Sequence, residues 1–358
     1  MKTKKQKKVM SLPKLILLDI LLVGVILLVF ASFHHVIPAI ISERERLEAM
    51  EQTVPATEAP ETAVPTEMEQ PEATEALPEE TQAPTEPDNR TEWQKKFEDQ
   101  FTDEVIVTEN SYSSPEVSIT LQTVSTGEGN DKITYHIADI YVASLDNFTT
   151  YTANNEMRYF GTQDVMEMDA AANAILTLSG DFLTYQKGGF LMRNGQVYAA
   201  TTNLKSICVL YSDGSIVTYE PGEYKIDDIV AAGAIQVWSF GPPLLDENGK
   251  VRDHYDVSTA VSYPNPRSAI GYFEPGHYCF VLVDGRQEGY SKGMKISELA
   301  KVFEDLGCTT AYNLDGGGSA VMVYNHQRYS QQSNGGDRDL GDILVIRDSY
   351  YTTQEDAQ

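Results

Sequence analysis

The sequence predicts an α+β domain over residues 91–358, rich in strands and interrupted by a few helices. Three observations carry this. "EVSITLQTVS" (116–125) and "KITYHIADIYVASL" (132–145) alternate apolar and polar residues, as half-buried strands do. "SICVLYSDGSIVTYEP" (206–221) places two β-rich runs around Asp213-Gly214, a strong hairpin signal. No regular strand–helix–strand alternation runs through the domain, which points to the α+β class.

Before the domain, Lys2, Lys4, Lys5, Lys7, Lys8 and Lys14 precede the run Leu15–Phe33, which is apolar except for Asp19, Gly24 and Ser32. A run of that length crosses a bilayer at about 1.5 Å per residue and exceeds the apolar core of a cleavable signal peptide. Residues 1–41 are therefore expected to be a basic cytoplasmic tail and a single signal-anchor, its lysines inside and the rest of the chain outside. Residues 42–90 are built largely from Pro, Thr, Ala and Glu. They bury too little apolar surface to offset their ordering entropy, and read as an extended, disordered stalk.

The domain's elements follow in order. "WQKKFEDQF" (93–101) reads as a short leading helix, and "DVMEMDAAANA" (164–174) as a helix entering the strand "ILTLSGDF" (175–182). "IQVWSFGPPLLDENGKV" (235–251) is a strand, a proline loop and a turn at Asn248-Gly249. "HYCFVLVDGR" (277–286) is a buried strand, and "KISELAKVFEDLG" (295–307) an amphipathic helix closed by Gly307. "CTTAYNLD" (308–315) and "AVMVYN" (320–325) are strands on either side of "GGGS", and "DILVIRD" (342–348) is the last strand.

The net charge of −26 argues against nucleic acid or anionic lipid as a partner of the outer part. Cys208, Cys279 and Cys308 are widely spaced in apolar stretches, which fits packing cysteines; a disulfide outside the cell stays open. No ligand cluster asks for a metal, and no nucleotide-binding fingerprint, P-loop, serine-nucleophile elbow or zinc motif is present, so no cofactor is expected.

Charged residues gather instead in glycine-rich segments at strand ends: Asp181 in "SGDF", Arg267 in "NPRSAIGY", Asp284 and Arg286 in "VLVDGRQEGY", Asp315 before three glycines, and Arg338 in "SNGGDRDLGD". A tight hairpin needs one or two glycines, not three. Gly316, Gly317 and Gly318 can expose successive N–H groups in a concave nest, and without Cβ atoms they let an oxyanion reach the backbone. A carboxylate beside such a loop can take a proton, while arginines pair with phosphate oxygens. His277, entering a strand, reads as structural, His326 as surface, and Trp238 as core or pocket wall.

The segments "SGDF", "FGPPLLDENGKV", "NPRSAIGY", "VLVDGRQEGYSKGMKISELAKVFEDLGCTTAYNLDGGGSA" and "RDLGDILVI" occur in that order and resemble the phosphodiester glycosidase family over about half the chain. Ser179 stands where that family usually carries asparagine. The resemblance implies hydrolysis of a sugar-1-phosphate diester at the anomeric carbon. Asp315 and Asp181 would then be the catalytic carboxylates. Arg267, Arg338 and the backbone of Gly316, Gly317 and Gly318 would face the phosphate, while Asn313 and Ser319 orient Asp315 or bind substrate. Asp284 and Arg286 either join the substrate site or form a structural pair beneath it. The expected substrate is a phosphorylated glycan of a cell surface, most simply that of a Gram-positive bacterium. A binding module without turnover, and a phosphodiesterase cutting on the other side of phosphorus, are the competing readings.

Overall fold

In the computed structural model of the chain, residues 88–155, 161–182, 189–201, 205–333 and 336–351 are described. The expected membrane anchor and nearly all of the stalk lie outside these residues. No helix among the described residues is long and apolar enough to cross a membrane. All elements below belong to the compact unit Pro84–Gln358.

Three sheets, all antiparallel among the described residues, make up the domain. The first runs β1 (Ile106–Val107), β2 (Ser111–Ser113), β3 (Val117–Thr126), β4 (Ile133–Val142), β13 (His277–Val283), β12 (Arg267–Glu274), β14 (Thr310–Asn313). The second runs β10 (Ile216–Tyr219), β9 (Ile207–Tyr211), β11 (Ala234–Trp238), β7 (Phe190–Arg193), β8 (Gln196–Ala200). The third runs β16 (Gln327–Arg328), β15 (Met322–Tyr324), β6 (Leu176–Ser179), β17 (Asp342–Ile346), β5 (Phe148–Thr152). Five α-helices accompany them among the described residues: α1 (Glu92–Lys96), α2 (Val165–Ala172), α3 (Ile226–Ala231), α4 (Thr259–Ser262) and α5 (Ile296–Leu306). This is the α+β class the alternating pattern predicts.

Local chemistry accounts for the elements that were legible. The β9–β10 hairpin turns at Asp213-Gly214, where Gly214 takes φ +85° and Asp213 Oδ1 accepts from the Ser215 amide at 2.9 Å. Helix α5 starts with the Glu298 carboxylate accepting from the Lys295 amide at 2.7 Å and ends at Gly307 in the left-handed region. Its buried residues Ile296, Leu299, Ala300 and Phe303 share one face, as their spacing requires.

That face packs on one side of the first sheet, with Cys279, Val281 and Val283 of β13 and Ala269 of β12. The alternate β13 residues, Tyr278, Phe280 and Leu282, turn to the main core. There Ile119, Ile140 and Phe280 of the first sheet meet Leu210 and Trp238 of the second and Leu178 and Leu344 of the third. Trp238 is thus a core residue. The helix lies so close to β12 that a methyl group on Gly271 would sit 2.6 Å from Cys279 Sγ and 2.7 Å from the Phe303 ring. Gly271→Ala is expected to cost about 1–3 kcal/mol by overpacking, read as a lower urea midpoint with unchanged slope.

Strand pairing also explains the three glycines. β14 belongs to the first sheet, beside β12, whereas β15 belongs to the third, beside β6. The glycine segment is a crossover between two sheets, wound into a 3₁₀ turn at Gly317–Ser319, and not the tip of a hairpin.

Candidate active site

The ends of strands from all three sheets converge where β14 leaves the first sheet. Asp315 follows β14, and its amide donates to Gly180 O at 3.1 Å, tying the glycine segment to the "SGDF" turn after β6. Arg267 opens β12, Arg193 closes β7, Ser239 follows β11 and Asp342 opens β17.

Asp181 anchors one half. Its Oδ2 accepts from the Ser239 amide at 2.6 Å and from Arg193 Nη2 at 3.3 Å; its Oδ1 accepts from the Phe182 amide at 2.7 Å. Arg193 also donates through Nε to Asp342 Oδ2 at 2.7 Å, and through Nη1 to the carbonyls of Met192 and Val237. Asp342 Oδ1 in turn accepts from the Asp181 amide at 2.9 Å. Two carboxylates and one guanidinium are thus buried together. Burial holds Asp342 above the usual carboxylate range, although Arg193 pulls it down.

Asp315 forms the other half and differs in access: its side chain keeps 10% exposure, that of Asp181 none. Burial pushes the Asp315 carboxyl from 3.8 up to about 6. The Ser319 hydroxyl, close by but outside bonding geometry, and Arg338 oppose the rise, and the charge of Asp181 adds to it. Arg338 Nη1 lies 3.9 Å from Asp315 Oδ2, its amide donates to Gly318 O at 2.9 Å, and its guanidinium sits 5.8 Å from the Phe182 ring. Asn313 donates through Nδ2 to Gly241 O at 2.8 Å. Asn313 Oδ1 and the Ser319 hydroxyl are buried without a hydrogen-bond partner among the described residues, two polar groups beside Asp315 still to be satisfied.

Part of the expected nest is taken up within the protein. The amides of Gly317, Ser319 and Ala320 donate to Pro266 O, Gly316 O and Gly317 O, closing on the protein itself. The glycines' lack of side chains also allows close approach. A methyl group on Gly316 would lie 2.4 Å from Pro266 O, and one on Gly317, where φ is +64°, 3.0 Å from Arg286 Nη2. At Gly318 it would lie 3.8 Å from Arg338 Nη2. The loop therefore carries one guanidinium against Gly317 and another against Gly318.

Other expected residues take other places. Arg267 is buried; it donates through Nε to Met294 O at 3.0 Å and through Nη2 to Val261 O at 2.6 Å and Tyr263 O at 2.8 Å. Burial, together with nearby Arg286, lowers it to about 10. These bonds brace the segment whose Pro266 carbonyl holds Gly317. The Asp284–Arg286 pair does not form, because each finds a better partner. Asp284 Oδ2 lies 2.8 Å from His136 Nε2 and accepts from the Tyr290 hydroxyl at 2.9 Å, whereas Arg286, at φ +60°, donates to Asn265 Oδ1 at 2.9 Å. His277 is stacked between Tyr141 and Phe273, each ring centroid at 4.0 Å, and meets Asp139 at 2.7 Å. His326 pairs with buried Asp169 at 2.6 Å, which raises its pKa.

Arg193, Asp342, Ser239 and His136 escape a linear reading. The one local signal is a charge inside an apolar run, in "FLMRNG" and "GDILVI".

Comparison with known proteins finds similarity over the same part of the chain. The family model described as phosphodiester glycosidase matches residues 172–347. The SPbeta prophage-derived uncharacterized protein YomE of Bacillus subtilis is 27% identical over 197 residues, covering 52% of this chain and 30% of that protein. The N-acetylglucosamine-1-phosphodiester alpha-N-acetylglucosaminidase of Mus musculus is 24% identical over 169 residues, covering 43% of this chain and 32% of that protein. These matches thus span about a third of each curated relative. The catalytic domain of the zebrafish N-acetylglucosamine-1-phosphodiester alpha-N-acetylglucosaminidase, solved in a form auto-inhibited by its pro-peptide, shares the fold, with a TM-score of 0.54 and 20% identity over 68% of this chain and 88% of that one.

Proposed function

From a segment, 172–347, that matches the phosphodiester glycosidase family, we propose that this chain is a hydrolase of sugar-1-phosphate diesters, cutting at the anomeric carbon. The sugar leaves free, and the phosphate stays on the aglycone as a monoester. The observation that carries this reading is the placement of Asp315, a buried carboxylate raised to about 6, beside a glycine loop flanked by Arg286 and Arg338.

In this reading the diester's phosphate lies over Gly317 and Gly318, where the two guanidiniums offset the charge that grows on it as the bond to C1 breaks. A phosphate departs without a strong general acid, so the carboxylate with the near-neutral pKa takes the proton from the water that attacks C1. Asn313 Oδ1 and the Ser319 hydroxyl, short of partners, suit the sugar hydroxyls. Asp181 is a positioning residue: bound to Ser239, Arg193 and its own next amide, it fixes the turn and the wall beside Asp315.

The apolar run behind lysines and the Glu/Pro/Thr stalk support placing the enzyme on the outer face of a membrane, of a Gram-positive kind, acting on a surface or extracellular phosphoglycan. The test is turnover of a sugar-1-phosphate methyl diester by wild type and Asp315→Asn, with products weighed by mass spectrometry. Free sugar and methyl phosphate from wild type alone support the proposal. Tight binding without turnover in either would make the chain a phosphoglycan-binding module.

A base that must be ionised gives the pH profile its sign. Below about pH 6, kcat/KM is expected to fall about tenfold per pH unit, and above it to level off.

A further inference from the structure

The wall beside Asp181 continues into a second cavity. Ser239, which donates to Asp181, is followed by Phe240, Gly241 and Pro242. These three line a cleft of about 450 Å³ together with Lys205, Arg252 and Tyr255, among others. The cleft is coupled to the site at two points. Gly241 exchanges hydrogen bonds with Asn313, its amide donating to Asn313 O at 3.1 Å and its carbonyl accepting from Asn313 Nδ2 at 2.8 Å. Phe240 packs edge-on against Phe182, ring centroids 5.9 Å apart, and the Phe182 ring also lies 5.8 Å from the Arg338 guanidinium.

The charges in the cleft are unequally satisfied. Arg252 is tied to Glu220. Asp256 lies on an exposed segment of the lining. The Lys205 ammonium, half-buried, has neither a hydrogen bond nor an ion pair with any described residue; burial lowers its pKa, against the pull of Asp181. A half-buried cation without a partner among the described residues is costly to keep unless an anion arrives to meet it. Phe240, Pro221, Pro242 and Val261 supply apolar surface around it for the carbon skeleton of a ligand.

We propose that this cleft is a second phosphate subsite, with Lys205 as its cation, so that the preferred substrate is a phosphate-linked glycan carrying another phosphate on the aglycone side of the bond that is cut. The proposal rests on the hydrolytic reading of the Asp315 site. Arg286 and Arg338 hold the phosphate of the scissile bond, and Lys205, which lines the cleft with Phe240, holds the next. A lone sugar-phosphate diester would fill only the first.

The test uses the full chain in detergent, as wild type, Lys205→Ala and Lys205→Arg, each checked for an unchanged melting temperature. Two sugar-1-phosphate diesters are compared, one with a methyl aglycone and one whose aglycone carries a second phosphate. Wild type is expected to prefer the two-phosphate substrate in kcat/KM. Lys205→Ala should lower that preference at least tenfold, through KM and not kcat, and Lys205→Arg should restore most of it. A preference unchanged in Lys205→Ala overturns the proposal. Calorimetric titration with inorganic phosphate supplies a readout free of turnover: two sites in wild type and one in Lys205→Ala. If wild type cuts neither diester, the hydrolytic reading fails by itself. The titration then decides the cleft: loss of one site in Lys205→Ala sustains it, and equal stoichiometry in the two proteins overturns it.

Discussion

Asp315→Asn is expected to lower kcat about a hundred- to ten-thousandfold while making the protein more stable at neutral pH. Both effects have one source. The carboxyl sits among Gly180, the glycine loop and buried Ser319, and burial raises it from 3.8 to about 6. The folded state therefore holds its proton more tightly than the unfolded chain. Stability is greatest below the unfolded pKa, declines as pH rises from about 4 to about 6, and stays reduced above that. A rise of that size corresponds to about 3 kcal/mol. The asparagine keeps the size and discards the charge, so urea unfolding at pH 7.5 should show a gain of about 1–3 kcal/mol over wild type, and at pH 4 little difference. A residue that acts only as scaffold would lose stability on substitution; one that carries a charge for function gives the opposite sign.

Arg193→Ala is expected to be the most destabilising single change near the site, at about 3–5 kcal/mol. The guanidinium bridges Asp181 and Asp342 and satisfies the carbonyls of Met192 and Val237. Without it two carboxylates stay buried, with only backbone donors left to Asp181 Oδ2 and Asp342 Oδ1. Lys is a poor substitute, because one ammonium cannot reach two carboxylates and two carbonyls in the fork geometry of a guanidinium. The loss should shrink as pH falls, since the orphaned carboxylates can then take protons. Urea unfolding at pH 7 and pH 4.5 measures it, and a penalty equal at both would show that packing, not charge, dominates there.

Chemistry that is local in sequence was legible. The Asp213-Gly214 hairpin, the amphipathic helix ending at Gly307 and the alternation of β3 and β4 follow from spacing that the chain carries within about a dozen residues. Asp315, Asp181 and Arg338 stood out as charges in glycine-rich strand ends, and the structure brings Arg338 to 3.9 Å from Asp315 and ties the Asp315 amide to Gly180 beside Asp181. What stayed hidden depends on which sheet a strand joins. "CTTAYNLD" and "AVMVYN" look like partners across a turn, yet their alternation is the same whether they pair with each other or, as they do, with β12 and β6. Arg193 and Asp342 come from β7 and β17, which belong to different sheets, and are joined by a hydrogen bond at the site. Arg267 illustrates the converse: an arginine in a motif segment, but one whose bonds go to three backbone carbonyls. His136 reaches Asp284 from 148 residues away, a distance over which no pattern in the sequence operates.

Which bond breaks decides between hydrolysis at the sugar and hydrolysis at phosphorus. Hydrolysis of a sugar-1-phosphate methyl diester in water enriched in oxygen-18 answers this directly, by mass spectrometry of both products. Attack at the anomeric carbon puts the heavy oxygen on the free sugar and leaves methyl phosphate unlabelled. Heavy oxygen in the phosphate product, with the sugar released as its 1-phosphate, would place the cut at phosphorus and contradict the roles assigned to Asp315 and the two arginines.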